Sequence, residues 1–134
     1  MNEFSHERLD VYHAAVEWLI IADELAGALP KGRAYLADQL RRAAASIALN
    51  IAEGAGEFAG AEKARFYRIA RRSATECAAI LDGCRALKLS DRERVATARD
   101  LLWRIVAMLT AMALRFQEPG AEAGAEAEAG QKCG

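Results

Sequence analysis

The most regular pattern in the chain lies in residues 95–116, which read VATARDLLWRIVAMLTAMALRF. Apolar side chains recur there at alternating steps of three and four residues, and they are Val95, Ala98, Leu102, Ile105, Leu109, Met112 and Phe116. This spacing places them along one face of an α-helix. Just upstream, Ser90 and Glu93 have the spacing of a capping box, which would satisfy the first backbone donors. A helix over about 91–116 is therefore predicted.

Similar patterns predict three earlier helices, over about 8–29, 33–53 and 61–88. Pro30 and Gly54–Gly56 are expected to end the first and second. The third is expected to bury Phe66, Ile69, Ala70, Cys77, Ile80, Cys84 and Leu87. Because no segment alternates with a period of two and the connections are short, residues 1–117 are predicted to form an all-α, antiparallel up-down four-helix bundle.

The composition excludes several classes of protein. Of the 134 residues, 53% are hydrophobic, 31 are alanine and only 2 are proline, which favours helices and argues against a β-sandwich or a collagen-like chain. The longest uncharged stretches, 43–52 and 105–114, are about half as long as a membrane span. The N-terminal residues carry acids and no apolar core, unlike a signal peptide. A cytoplasmic protein is expected.

The net charge of −1 hides a strong asymmetry. Residues 1–30 hold one base and six acids, residues 31–117 hold sixteen bases and nine acids, and residues 118–134 hold four acids and Lys132. The corresponding net charges are −5, +7 and −3. The last segment is an acidic, low-complexity tail without a large apolar residue, so it is predicted to be disordered, with Cys133 as a free thiol.

A basic run on the third predicted helix suggests a surface for phosphates. It contains no acid, and its bases are Lys63, Arg65, Arg68, Arg71 and Arg72. Arg65, Arg68 and Arg72 share a face, which could contact the backbone of RNA or DNA with little sequence specificity. Tyr67 is the one interleaved aromatic residue, too little for a base-stacking platform. The alternative is a solvated helix face that pairs partly with the acidic first helix of the same or a neighbouring subunit.

A polar stripe follows the second predicted helix beside its apolar face, and its members are Gln39, Arg42, Ser46, Asn50 and Glu53. Ser73 and Glu76 on the third helix offer matching groups, and either Glu53 or Glu76 could pair with Arg42. One interpretation is a subunit interface or a ligand niche. The other is a structural polar network that fixes the register of the helices.

The chain offers little that resembles a catalytic or metal site. His6 and His13 have no cysteine or clustered acid at ligand spacing, and Ser46 has no activating base nearby in the sequence. Cys77 and Cys84 are separated by about 10.5 Å of helical rise, too far for a disulfide between them. They are interpreted as small buried apolar residues. We expect no enzymatic activity, no metal and no cofactor.

The segment 39–54, QLRRAAASIALNIAEG, closely resembles the signature of the four-helix-bundle proteins encoded in intervening sequences of bacterial 23S rRNA genes. This family also includes the accessory variability determinant of diversity-generating retroelements. Leu9–Tyr12 with Ala15 resembles the family's opening motif. The chain also resembles the family's third-helix pattern, at Phe66, Ile69, Ala70, Ser73 and Glu76. The resemblance spans about residues 4–114.

The resemblance implies a bacterial, non-enzymatic protein that assembles as a barrel-shaped homopentamer. In the retroelement branch the barrel is basic and works with nucleic acid and a reverse transcriptase, so both are implied partners. The chain departs from the family pattern at Glu57, where a basic residue is usual, and at Gly60, where Ser or Thr is usual. A nucleic-acid-associated accessory protein is therefore predicted, with an oligomeric protein–protein scaffold as the alternative.

Overall fold

The computed structural model describes residues 2–117, and within them it confirms four helices and contains no strand. The helices are α1 (Asp10–Gly27), α2 (Ala34–Gly56), α3 (Gly60–Ala86) and α4 (Arg92–Gln117). Short 3-10 helices at Ser5–Arg8 and Lys31–Arg33 precede α1 and α2. The predicted disordered tail and Cys133 lie outside the described residues.

The four helices pack in chain order around one apolar core. Each helix touches the next, α1 also touches α4, and no contact joins α1 to α3 or α2 to α4 among residues 2–117. Residue numbers that meet rise along one helix and fall along its neighbour: Ser46 meets Ser73, whereas Gly54 lies against Tyr67. This is the order expected of antiparallel neighbours.

The core is made largely of alanine and aliphatic side chains, and its largest fully buried residue is Trp18. The indole Nε1 of Trp18 donates a hydrogen bond of 2.9 Å to the carbonyl oxygen of Ala98 on α4. This hydrogen bond satisfies the only polar atom of the ring, which burial removes completely from water. The first and last helices are thereby joined through the middle of the bundle.

The buried face of α3 differs from the predicted one. Ala70, Cys77 and Cys84 are buried as expected, but Leu87 is 47% exposed and Phe66, Ile69 and Ile80 are only half-buried. The side chains that point inward instead are Ala64, Tyr67, Ala74 and Leu81. The prediction was wrong because α3 packs against both α2 and α4. The positions of these two helices around α3 decide which of its side chains are buried.

Three helix ends also differ from the prediction. The helix α2 continues through Gly54 to Gly56. The helix α3 ends at Ala86, where Leu89 N donates to Cys84 O at 2.8 Å around Lys88, whose φ is 58°. At the start of α4 the cap is Asp91, because its Oδ2 accepts from Arg94 N at 2.9 Å. Because α4 begins at Arg92, Asp91 directly precedes it and takes the N-cap position expected for Ser90.

Gly54 is needed because α2 and α3 approach each other closely at this point. A Cβ added there would lie 2.8 Å from Tyr67 Cε1 and 3.0 Å from Phe66 Cβ. The Tyr67 ring is buried and the Phe66 Cβ is bonded directly to the backbone of α3, so neither can move aside cheaply.

Gly54→Ala is expected to lower the free energy of unfolding by roughly 1–3 kcal/mol because it overpacks this contact. The matched control is Gly56→Ala in the same helical turn, where nothing lies within 4 Å of the added Cβ. That control should be neutral or stabilising by up to about 1 kcal/mol, from higher helix propensity. Urea unfolding followed by circular dichroism measures both, and equal effects would contradict the close approach.

Candidate nucleic-acid interface

Three of the five predicted basic residues lie together on the exposed face of α3. They are Arg68, Arg71 and Arg72, and all three side chains are exposed. Their spacing keeps them within about 100° of the helix surface. Arg71 Nη1 donates to the hydroxyl Oγ1 of Thr110 on α4 at 3.3 Å, a neutral partner that leaves its charge uncompensated. We call these three residues the arginine face.

No acid pairs with the arginine face among residues 2–117. Two of the four acids of α1 pair with other bases: Asp23 lies 2.9 Å from Arg41, and Glu24 lies 3.8 Å from Arg94. Since α1 does not contact α3, pairing of the arginine face with the acidic helix of the same chain is not seen. The positive charge of α3 is therefore left to solvent or to a partner.

Arg65 is less available than the arginine face. Its guanidinium pairs with Glu62 at 3.1 Å and lies 4.5 Å from the centroid of the Phe66 ring. Glu62 precedes the basic run by one position, so the acid-free stretch begins just after a compensating charge. An exposed pair of this kind is weak, and Arg65 could exchange Glu62 for a phosphate.

Lys63 lies apart from the other bases, at the end of α2. Its Nζ donates to the carbonyl oxygens of Ala55 at 3.0 Å and Gly54 at 3.4 Å, and it lies 5.8 Å from the centroid of the Phe116 ring. Burial lowers the pKa of Lys63, and the nearby Glu57 carboxylate partly raises it again. The amine thus donates to the last carbonyls of α2, and its positive charge interacts favourably with the negative end of the α2 helix dipole.

The polar stripe separates into a buried part and an exposed part. Ser46 Oγ accepts from Ser73 Oγ at 2.8 Å and from Asn50 Nδ2 at 3.0 Å, and Asn50 Nδ2 also donates to Ser46 O at 2.9 Å. Among residues 2–117, Ser73 is the only polar or charged residue that is buried, with 8% of its surface exposed. This cluster supports the interpretation of a structural network between α2 and α3.

The other members of the stripe lie at the surface, and they are Gln39, Arg42, Glu53 and Glu76. Within residues 2–117, no ion pair joins Arg42 to either carboxylate. The expected pair is absent there because all three side chains are solvated and nothing orients them toward each other. They leave a mixed-charge surface along the α2–α3 boundary.

The titratable groups with strongly raised pKa values are buried and separate. Burial raises the pKa of Tyr67 to about 12, with Arg115 opposing, and raises the pKa of Cys77 to about 12, with the Glu76 charge adding to it. Burial also raises the pKa of Cys84, partly offset by a hydrogen bond from Ser90. Both thiols stay protonated at neutral pH, as expected of apolar packing residues.

One aromatic residue was misjudged from the sequence, and another was not considered. Tyr67, expected among the exposed bases, is 2% exposed and packs between Gly54 and Phe116. Trp103, which the sequence prediction does not use, is 75% exposed on α4. The available signal was its register, because Trp103 stands outside the apolar spacing of residues 95–116. It lines a groove between α3 and α4.

Among residues 2–117, no group of three or more His, Cys, Asp and Glu side chains is placed to hold a metal ion. None of the helices described is both long and apolar enough to cross a membrane.

Ser46→Ala is expected to cost roughly 1–3 kcal/mol of unfolding free energy, since it leaves the buried Ser73 hydroxyl without its partner. Ser73→Ala should cost less, about 0.5–1.5 kcal/mol. The double variant should show a coupling of about 1 kcal/mol in urea unfolding, with exposed Ser5→Ala as the control. Additive effects would show that the two hydroxyls do not depend on each other.

Comparison with known proteins agrees with this architecture. A search of curated proteins finds no match to the chain. A family model described as 23S rRNA-intervening sequence protein matches residues 7–111, which include nearly all of the four helices. Because this match covers most of the chain, the protein belongs to the 23S rRNA-intervening sequence protein family.

Proposed function

We propose that this protein is a non-enzymatic accessory protein that binds the backbone of RNA or DNA. The observation that carries the proposal is the arginine face, where three exposed guanidinium groups have no acidic partner within residues 2–117. The family description, which refers to an intervening sequence of 23S rRNA, supports a link to RNA.

The chemistry of the arginine face fits phosphate. A guanidinium presents several donors in a planar fork and stays charged at any physiological pH, so it can bind two phosphate oxygens at once. Backbone contacts of this kind carry little sequence information, and each releases counterions on binding. Binding should therefore be strong at low salt, weak at high salt and tolerant of sequence.

Self-association is part of the proposal, with a homopentamer as the stoichiometry implied by the family resemblance. Ile20 on α1 and Leu49 on α2 are 58% and 62% exposed, and the two helices are neighbours. Exposed aliphatic side chains of this size are favourable sites for contact with a second copy. A ring would present the arginine face several times, and the copies would reinforce each other's binding to one nucleic acid.

The cellular setting is also proposed. We expect the protein to act in the cytoplasm, where RNA and DNA are accessible, and a reverse transcriptase is the protein partner that the resemblance favours. Its action would consist of binding alone, since the groups with raised pKa values are buried packing residues.

Reversal of the arginine face, with Arg68→Glu, Arg71→Glu and Arg72→Glu together, should weaken binding to a mixed RNA or DNA fragment at least about tenfold at low salt. The wild-type affinity should fall steeply as salt rises, because counterions are released on binding. Fluorescence anisotropy of labelled nucleic acid across a salt series measures both effects.

The matched control reverses a second exposed basic cluster at the opposite end of α3, with Arg85→Glu, Lys88→Glu and Arg92→Glu. It changes the net charge by the same amount at another location, and it also breaks the exposed pair of Arg85 with Asp82, which is weak. Equal losses in both triple variants would mean that net charge, and not the arginine face, governs binding. Wild-type protein that binds nothing at low salt would disprove the proposed function.

The second candidate function is an oligomeric scaffold for another protein, favoured by the acidic α1 and the exposed Ile20 and Leu49. Light scattering should give a mass several times that of one chain, and Ile20→Glu with Leu49→Glu should reduce it to the monomer. Leu87→Glu, at a position 47% exposed on the end of α3, is the control. Assembly without salt-dependent nucleic-acid binding favours the scaffold, and a wild-type monomer excludes the ring.

A further inference from the structure

Trp103 is the largest exposed side chain on α4, with 75% of its surface in solvent. It forms one wall of a groove of about 340 Å³ between α3 and α4. Its lining also includes small or aliphatic side chains from both helices, with Ala74, Thr75 and Ala78 on α3 and Leu102 and Val106 on α4. A large flat ring beside a shallow apolar groove is suited to another flat ring.

The groove opens toward the arginine face. Thr110, the partner of Arg71 at 3.3 Å, follows Trp103 by seven residues on α4, which is about 10.5 Å along the helix axis. Thr75, which lines the groove, follows Arg71 by about one turn of α3. The exposed indole and the uncompensated guanidinium groups therefore belong to one continuous surface.

The charges around the groove favour an anion at the arginine end. Arg99 lines the groove but is paired with Asp82, so this pair adds little net charge. Asp100, three residues before Trp103 on α4, also lines the groove and opposes an anion there. Toward Thr110, Arg71 donates only to a neutral hydroxyl, and the next residue, Arg72, is exposed. A bound molecule should thus place its phosphates above Trp103 and an uncharged ring against the indole.

We propose that the groove binds single-stranded nucleic acid, with one unpaired base stacked on Trp103 and the adjoining phosphates on Arg71 and Arg72. This inference rests on the proposed function and narrows it to single strands. In a duplex the bases are already stacked inside the helix, so only an unpaired base can lie flat on the indole. An indole accepts any base, which agrees with the low sequence specificity expected of the arginine face.

The intrinsic fluorescence of the protein offers a direct test. The chain has two tryptophans, and Trp18 is 0% exposed, so quenching by added bases reports on Trp103. Titration with a short oligouridylate should quench the emission to saturation, whereas a blunt RNA duplex of similar charge should leave it unchanged. The anisotropy of the labelled nucleic acid reports total binding in the same samples.

Trp103→Leu should abolish the quenching and weaken oligouridylate binding roughly tenfold, with duplex binding unchanged. Trp103→Phe should retain most of the affinity because it keeps an aromatic face. Salt-dependent binding without quenching, and with Trp103→Leu as tight as wild type, would overturn the stacking site while the proposed function stands. No binding of either nucleic acid would instead disprove the proposed function. A smaller assembly mass for Trp103→Leu would identify Trp103 as a subunit contact and overturn the inference.

Discussion

The close approach of α2 to α3 is the constraint on which the orientation of α3 depends. Gly54 allows it, because a single added carbon would lie 2.8 Å from the Tyr67 ring. With the helices this close, Ser46 meets Ser73 at 2.8 Å, and Lys63 reaches the last carbonyls of α2. The same contact turns Tyr67 inward, so the bases that follow it on α3 point outward.

The position of α3 between two neighbours concentrates its charge. With α2 on one side and α4 on the other, only one face of α3 remains free, and Arg68, Arg71 and Arg72 occupy it. Because α1 does not contact α3, its acids do not pair with this face; Asp23 and Glu24 pair instead with Arg41 and Arg94. The asymmetry seen in segments of the sequence thus persists as an asymmetry in space, which a polyanion can exploit.

The structure also separates stabilising polar groups from available ones. The hydroxyl cluster of Ser46 and Ser73 and the capping amine of Lys63 have their hydrogen bonds satisfied within the chain. The guanidinium groups of Arg68 and Arg72 and the indole of Trp103 remain exposed. Side chains of the first kind set the register of the bundle, whereas those of the second kind can bind a partner without loss of internal contacts.

Residue order alone was enough for the number of helices, their approximate limits and the inward positions of α4 from Val95 to Leu109, because each depends on local periodicity and on breakers such as Pro30. The basic run was equally visible. The sequence did not show which of its bases are available. Lys63 and Arg71 are both bases of the same run, and only their contacts with α2 and α4 distinguish them. The inward choice of Tyr67 over Phe66 required the packed bundle, whereas the outward position of Trp103 agrees with its register outside the apolar spacing of α4. A side chain is buried only where two surfaces meet, and the sequence of one helix does not specify on which side its neighbours will pack.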